Sequence, residues 1–282
     1  MGLVERPYQL TEVFMNNLVV IKGGGDLATG IAHRLRKSGI YVVITELAQP
    51  TVIRRSIAFA QAVFTGEAAV EGITGRLVKA DEIWQTLAQG IIPVVIDPEG
   101  KCIDRLRPWG VVDAIIAKTN TGTAEADAPV VIGVGPGFTA GQDVHAVVET
   151  ARGHDLGRVY YEGAAQTDTG IPGNIGGYTI ERLIKAPVDG IFKGLKTIGD
   201  TVKAGEPVAE VNEMVVSAAI DGVLRGLLHD GLPVYQGMKI GDIDPRCRQE
   251  HCFTISDKAR AIGGGVLEAL LCLKGERLHD RI

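Results

Sequence analysis

The chain has 282 residues, of which 45% are hydrophobic and 22% charged, and its formal net charge is −5. This acidic balance argues against nucleic acid as a partner, because binding to phosphate backbones needs a basic surface, and no apolar run reaches the about 20 residues that a membrane-spanning helix needs. Four cysteines in a chain of this length do not make a disulfide framework, which favours a reducing cytoplasm.

Residues 1–17 are predicted to be an N-terminal arm, and the first strong pattern follows in the segment NLVVIKGGGDLATGIAHRLRKSGIYVVITEL. It predicts a strand, a glycine turn, a helix and a second strand that ends at Glu46. The turn fits the dinucleotide-binding fingerprint, in which the backbone approaches a pyrophosphate at a helix N-terminus. Glu46 lies 23 residues after Gly23, where a ribose-binding carboxylate is expected. We therefore expect cofactor contacts from Gly23, Gly24, Gly25 and Glu46.

Asp26 departs from this fingerprint. Its carboxylate would repel a pyrophosphate unless it points away or caps the helix, and we keep it as a candidate for both binding and catalysis. Arg54 and Arg55, after the second strand, are either phosphate ligands or ordinary surface arginines. A glycine-rich turn without any ligand is the alternative interpretation of the whole segment.

The α/β rhythm continues, with helices predicted at 51–64 and 81–89 and strands at 91–97, 111–117 and 130–134. Such apolar strands imply a sheet covered on both faces, and ligands of such sheets bind beyond the carboxyl ends of the strands. The loops KTNTGT and GPGFTAG follow two of these ends and are rich in groups that hold anions, although each loop alone could be a plain turn. Five of their residues are predicted cofactor contacts: Lys118, Thr119, Asn120, Gly135 and Gly137.

Residues 186–211 and 218–243 repeat one pattern at a constant offset of 32 residues. Two such β-rich units can bury each other's apolar face, and residues 184–243 resemble biotinyl and lipoyl domains in this respect. The carrier lysine of those domains would fall near Val211, yet no lysine stands between Lys203 and Lys239. We therefore expect no biotin or lipoate and interpret the module as a docking or substrate-covering unit.

The segment GDIDPRCRQEHCFTISDKARAIGGGVLEALL, residues 241–271, carries the remaining candidates. Cys247, His251 and Cys252 form a weak match to a metal site. Arg246 and Arg248 flank Cys247 and would favour its thiolate, so Cys247, ahead of Cys252, is the candidate reactive cysteine, with inert loop cysteines as the alternative.

A helix is predicted from Ser256 or Asp257 to about Leu273. Three consecutive glycines inside it cost about 1 kcal/mol each against alanine. Such a cost indicates close approach by another backbone or by a ligand.

Five motifs taken as a set, VIKGGGDLATGIAHRL, GPGFTAGQDVHAVVET, RGHDLGRV, GDIDPR and ISDKARAIGGGVLEA, resemble one family. It is the YqeB-type group associated with selenium-dependent molybdenum hydroxylases, which is similar to the XdhC/CoxI accessory proteins of xanthine dehydrogenase. The resemblance runs from about Asn17 to Leu271. It implies a maturation role, in which the molybdenum cofactor or its sulfur- or selenium-modified form is handled before insertion into an apo-hydroxylase. It assigns no catalytic residue.

These observations predict an α/β fold with a Rossmann-like domain at 18–182 and a barrel-sandwich module without a carrier lysine at 183–244. A loop and helix at 245–282 are predicted to pack back on the α/β domain. We expect an accessory protein, rather than an enzyme, that binds the molybdenum cofactor as cargo and serves a molybdenum hydroxylase client. Exposed strand edges favour a homo-oligomer.

The alternative function is an NAD(P)-dependent oxidoreductase that uses the Gly23–Gly25 fingerprint. Asp26 and the lack of a Tyr-x-x-x-Lys proton-transfer pair count against it. A scaffold with an empty fingerprint is a third interpretation.

Overall fold

The computed structural model describes residues 16–279, so almost all of the predicted N-terminal arm lies outside the described residues. The first eleven strands are β1 (Leu18–Lys22), β2 (Tyr41–Glu46), β3 (Glu67–Val70), β4 (Ile73–Leu77), β5 (Ile92–Ile96), β6 (Gly110–Asp113), β7 (Val130–Val134), β8 (Thr139–Ala140), β9 (Ala146–Val148), β10 (Val159–Tyr160) and β11 (Gly163–Ala164). Nine of them form one sheet in the order β10-β9-β7-β6-β1-β2-β5-β4-β3, and β8 pairs with β11.

The large sheet is mixed. Its seven inner strands run parallel, whereas β3 and β10 add one antiparallel strand at each edge. Alternate residues of β1 enter different cores: Val19 and Ile21 pack on one face of the sheet, and Leu18 and Val20 pack on the other. This period of two, in a strand that is apolar at both faces, is why the sheet is covered on both sides.

The helices are α1 (Asp26–Lys37), α2 (Ala62–Thr65), α3 (Ile83–Ala88), α4 (Cys102–Leu106) and α5 (Asp257–His279). The helix predicted at 51–64 is wrong: this segment forms two short 3₁₀ turns and the single turn of α2. A backbone carbonyl of this segment bonds outside any helix, because that of Ile53 accepts the N–H of Leu227 at 2.7 Å. That bond holds Ile53 against a strand instead of in a helix.

The glycines of α5 allow close backbone contacts, as predicted. A Cβ at Gly263 would lie 3.0 Å from the carbonyl oxygen of Gly30 in α1. A Cβ at Gly30 would lie 2.7 Å from the Cβ of Ala259, and one at Gly265 would overlap the carbonyl of Gly157. Helix α5 therefore packs tightly on α1 and on the loop before β10.

Residues 183–244 form eight strands: β12 (Leu183–Lys185), β13 (Gly190–Gly194), β14 (Thr201–Val202), β15 (Pro207–Val211), β16 (Met214–Ser217), β17 (Gly222–Leu227), β18 (Pro233–Val234) and β19 (Lys239–Asp244). They make two four-stranded sheets, β12-β19-β17-β14 and β16-β15-β13-β18. The starts of β13, β14 and β15 recur 32 residues later as β17, β18 and β19. The sequence repeat thus reappears in strand positions.

The predicted fold class needs correction, although its α/β character holds. A nine-stranded mixed sheet with antiparallel edges replaces the Rossmann-like domain. Residues 183–244 are no separate barrel-sandwich module, because their core continues into Ile53 and Phe64 of the first half. The repeat and the fingerprint are local sequence patterns, so they could predict neither the edge strands nor this shared core. Both features arise from packing between segments that are far apart in sequence.

Within residues 16–279, every helix is too short or too polar to cross a bilayer.

Candidate functional site

A groove of about 360 Å³ lies beyond the carboxyl ends of β1, β2, β5 and β6. The turn after β1 and the start of α1 form one wall, and residues 50–54 form another. Residues 114–116, which follow β6, and Asp97, which follows β5, complete the lining. Because the carboxyl ends of parallel strands meet at one edge of a sheet, this is where a ligand of such a sheet is expected.

The three glycines of the turn have different physical roles. Gly23 has a φ of +90°, which favours glycine, and a Cβ at Gly24 would lie 2.9 Å from the backbone nitrogen of Ala60. Gly25 has a φ of −64°, which any residue adopts, and its Cβ position meets only Val52 at an ordinary 3.7 Å. Gly25 lines the groove, so its missing side chain keeps the groove open without being required by the fold.

Glu46 is buried and holds this turn in place through a hydrogen bond to its backbone. One carboxylate oxygen accepts the Gly24 N–H at 2.8 Å and the other accepts the Leu47 N–H at 2.7 Å. Burial raises the pKa of Glu46 against the lowering effect of these two bonds. A ribose hydroxyl, the ligand predicted for Glu46, would have to share oxygens that backbone groups already use.

Asp26 begins α1, where the helix dipole already favours a carboxylate, and its side chain is also paired with Arg54. The Nη1 atom of Arg54 donates to Asp26 at 3.0 Å, and the Nη2 atom of Arg54 donates to the His251 carbonyl at 3.0 Å. Ser56 donates to the Cys252 carbonyl at 2.6 Å. The loop of residues 246–252 therefore folds back against the glycine turn, and Arg54 is a buried link between them instead of a surface arginine.

The other predicted contact residues lie outside the lining of the groove. Lys118 pairs with Asp168 at 2.6 Å, and Asn120 closes its own loop by accepting the N–H groups of Gly122 and Thr123. A Cβ at Gly137, whose φ is +106°, would lie 2.8 Å from Thr119. The two loops thus pack on each other. Gly135 packs on Thr150, whose hydroxyl would lie 2.8 Å from an added Cβ.

Sequence reasoning missed a buried polar group at the carboxyl ends of β1 and β6. Lys22 donates to the Thr123 hydroxyl at 2.6 Å, and this hydroxyl donates to Asp113 at 2.6 Å. The other oxygen of Asp113 accepts the N–H of Ile115, which lines the groove. A polar residue that closes an apolar strand was the available signal, since Lys22 follows LVVI and Asp113 follows GVV.

A second missed group lies on β17 and β19, where Arg225, Asp242 and Asp244 are buried. Arg182 pairs with Asp242 at 2.9 Å, and Arg246 donates to both oxygens of Asp244 at 2.9 and 2.7 Å. The repeat offered a signal for Arg225, because the equivalent position 32 residues earlier is also a cation, Lys193. Lys193 lies on the surface and pairs with Glu210.

The candidate cysteines differ in environment. Cys247 is exposed and has a φ of +56°, whereas Cys252 is fully buried and burial raises the pKa of its thiol. The arginines predicted to favour the Cys247 thiolate have other partners, because Arg246 is bound to Asp244 and Arg248 lies 3.7 Å from Glu250. In the described part of the chain, no three His, Cys, Asp or Glu side chains gather as metal ligands, so Cys247, His251 and Cys252 form no such set.

No protein-family model matches the chain. Over 259 residues it is 53% identical to the uncharacterized protein YqeB of Escherichia coli (strain K12), in a match that covers 92% of the chain. The chain is a homologue of YqeB. It spans about half the length of that relative, since the match covers 48% of YqeB. The resemblance to YqeB-type proteins is thus confirmed, while the role in molybdenum hydroxylase maturation stays a prediction.

Solved structures resemble this YqeB homologue only weakly. An aspartoacylase family protein from Mesorhizobium loti is 11% identical with a TM-score of 0.29, and the match covers 83% of this chain and 87% of that one. TcdA (CsdL) is 13% identical with a TM-score of 0.34, covering 96% of this chain and 91% of that one. Likenesses of this size carry no argument about fold or function.

Proposed function

We propose that the chain is an accessory protein of a selenium-dependent molybdenum hydroxylase, which binds the molybdenum cofactor as cargo and assists its modification or insertion. One observation carries this proposal: Gly25 lines the groove although neither its backbone conformation nor its packing requires glycine. A glycine in such a position lets a ligand approach the backbone. The motif resemblance supplies the identity of the cargo.

The groove has the chemistry for a phosphate-bearing pterin. Helix α1 begins at its wall, and the N–H groups of a first helical turn, together with the helix dipole, attract an anion. Arg54 supplies a buried guanidinium at the other wall, which residues 50–54 form. Leu47, Val52 and Ile115 provide apolar surface for a flat ring.

An NAD(P)-dependent oxidoreductase remains the competing function, and Glu46 argues against it. A dinucleotide would need this carboxylate for its ribose, yet both oxygens accept backbone N–H groups. We therefore place NAD and NADP in the test as competitors.

The test is a thermal-shift titration of the purified chain with molybdenum cofactor, NAD and NADP in parallel. A ligand at 100 times its dissociation constant stabilises the folded state by about 2.7 kcal/mol, which gives a measurable shift. We expect a shift with the molybdenum cofactor alone. A shift only with NAD or NADP would make the oxidoreductase the better proposal.

A matched pair of variants connects the binding to the groove. Gly25→Val places a side chain at the groove wall in an allowed backbone conformation, so we expect a folded protein with cofactor affinity reduced about tenfold or more. Gly264→Val adds the same volume at a position in α5 that has no neighbour within 4 Å, and binding should be unchanged. Equal affinity of the Gly25→Val variant and the unmodified chain would contradict the proposed site.

A further inference from the structure

A cluster of buried charges joins the two halves of the chain beside the groove. Strand β17 lies against residues 53–55, because the Leu227 N–H donates to the Ile53 carbonyl at 2.7 Å and the Nε atom of Arg55 donates to the Leu227 carbonyl at 3.1 Å. A Cβ at Gly226 would lie 3.1 Å from the Ile53 carbonyl oxygen. This close approach brings Arg54 and Arg225 into one buried region.

Pairing inside this cluster leaves one arginine without a carboxylate of its own. Asp26 accepts from Arg54, and Asp244 is occupied by the two donors of Arg246. Arg225 is 6% exposed, and its nearest carboxylate contact is Nη1 to Asp244 at 3.6 Å. Within residues 16–279 its guanidinium makes no hydrogen bond. A buried cation in this state is costly, and proteins normally pair it or neutralise it.

Three polar atoms of the cluster are also unsatisfied. The Nε atoms of Arg54 and Arg225 and the Nδ1 atom of His251 are buried without a hydrogen-bond partner among the described residues. Nδ1 of His251 and Nη1 of Arg225 both face Asp244, at 3.9 and 3.6 Å from its Oδ2 atom. Buried polar atoms are nearly always hydrogen-bonded, so two orphaned guanidinium N–H groups beside an orphaned ring nitrogen indicate a binding partner that the chain itself does not provide.

We propose that Arg54, Arg225 and His251 form a binding site for a small oxyanion of the phosphate class. Such an ion offers acceptors and negative charge to the unpartnered Nε atoms of Arg54 and Arg225, because the carboxylates of Asp26 and Asp244 are already bound by other donor atoms. Guanidinium groups bind phosphate oxygens through strong charge-assisted bonds. Burial and the nearby positive charge of Arg54 lower the pKa of Arg225, as expected for a buried cation whose charge is not fully compensated.

The oxyanion has two sources that share this chemistry. Arg54 also lines the groove, so the ion is either free in solution or the terminal phosphate of a groove ligand. The site stands independently of the molybdenum cofactor, because inorganic phosphate serves as the probe.

The experiment is a calorimetric titration of the full chain with inorganic phosphate, at constant ionic strength set by chloride. We expect saturable binding of one phosphate per chain. The Arg225→Met variant keeps the volume and removes the charge, and its affinity should fall about tenfold or more, the loss that follows from a charge-assisted hydrogen bond. The matched control is Arg248→Gln, at an arginine whose side chain is 65% exposed, and it should bind as the unmodified chain does.

Phosphorus NMR of the unmodified chain gives a test that needs no variant. Broadening of the phosphate line by the protein supports the site. If the line does not broaden, and if titrations with chloride and with phosphate give the same heat, the site is overturned. Equal affinity in the Arg225→Met variant also overturns it.

A titration with a nucleoside monophosphate separates the two sources. Tighter binding than that of inorganic phosphate supports the groove ligand as the source, and equal or weaker binding supports the free ion. Phosphate binding without any response to molybdenum cofactor would retain this site and reject the proposed function.

Discussion

Replacement of Asp244 by asparagine tests whether the buried charge cluster is balanced as the contacts indicate. The Asp244 carboxylate is fully buried and accepts three bonds from Arg246: from its backbone N–H at 3.0 Å, from Nε at 2.9 Å and from Nη2 at 2.7 Å. The change keeps the shape of the side chain and removes its charge, which leaves Arg246 and Arg225 without their shared anion.

The expected cost follows from these contacts. Removing one partner of a buried ion pair costs about 3–5 kcal/mol. Arg246 is 42% exposed and can recover part of its hydration, so we expect the lower end, about 3 kcal/mol, in the free energy of unfolding measured by urea denaturation.

The pH dependence has a definite sign. Burial opposes ionisation of Asp244, but the hydrogen bonds from Arg246 outweigh it, and the pKa of Asp244 lies below its usual range. Its contribution is therefore fully present above the unfolded value of about 3.9 and is lost as the pH falls through the lower, folded value. The difference between the Asp244→Asn variant and the unmodified chain should be constant near neutral pH and vanish in strong acid.

A double-mutant cycle decides whether Arg225 belongs to this balance. Arg225→Met alone should cost little, because it removes a buried cation without a hydrogen bond. Combined with Asp244→Asn it should restore about 1–2 kcal/mol relative to the sum of the two single changes. Additive effects, or a cost of Asp244→Asn below about 1 kcal/mol, would refute the reasoning.

Three further changes probe packing, pairing and thiol access. Gly265→Ala should destabilise the fold by about 1–3 kcal/mol in urea denaturation, since the new methyl group overlaps a loop carbonyl. Asp257→Asn should cost at most about 1 kcal/mol, because the carboxylate is 74% exposed and water screens its pairing with Arg152. The Arg152 hydrogen bonds lower the pKa of Asp257 to about 2, so this difference should persist above pH about 3.9 and disappear as the pH falls towards 2. Cys247→Ser should remove one fast-reacting thiol from a disulfide-exchange assay of the native protein, as this sulfur is exposed.

The glycine and cysteine changes each have a matched control within the chain, and the Asp257→Asn change has an outcome that would contradict it. Gly264→Ala, with no neighbour near its added methyl group, should stabilise α5 by up to about 1 kcal/mol; equal destabilisation by both glycine changes would contradict the packing. A cost of Asp257→Asn that is unaffected by acid would show that the pairing is unimportant. Cys252→Ser should leave the number of fast thiols unchanged, because Cys252 is buried.

Local sequence patterns predicted several elements of this fold. The apolar run before the glycine turn predicted β1, the 3.6-residue spacing after it predicted α1, and the glycines of α5 predicted close backbone contact. The 32-residue repeat anticipated the recurring strand positions. Each of these signals is local, because strand pleat, helical period and glycine content act over a few residues. The YqeB relationship was also readable, since its motifs are short and contiguous.

Tertiary structure decided the rest. The antiparallel edge strands β3 and β10 carry weak patterns, being short and half-exposed, so pairing and not propensity places them. Residues 51–54 do not form the predicted helix, and the bond from the Leu227 N–H to the Ile53 carbonyl holds this stretch against β17 instead. Arg54 and Arg225 lie in one buried region although they are far apart in sequence. The carboxylates that pair with Arg54 and Arg246, those of Asp26 and Asp244, come from two further segments. A charge cluster of this kind depends on distances through space, which no spacing along the chain encodes.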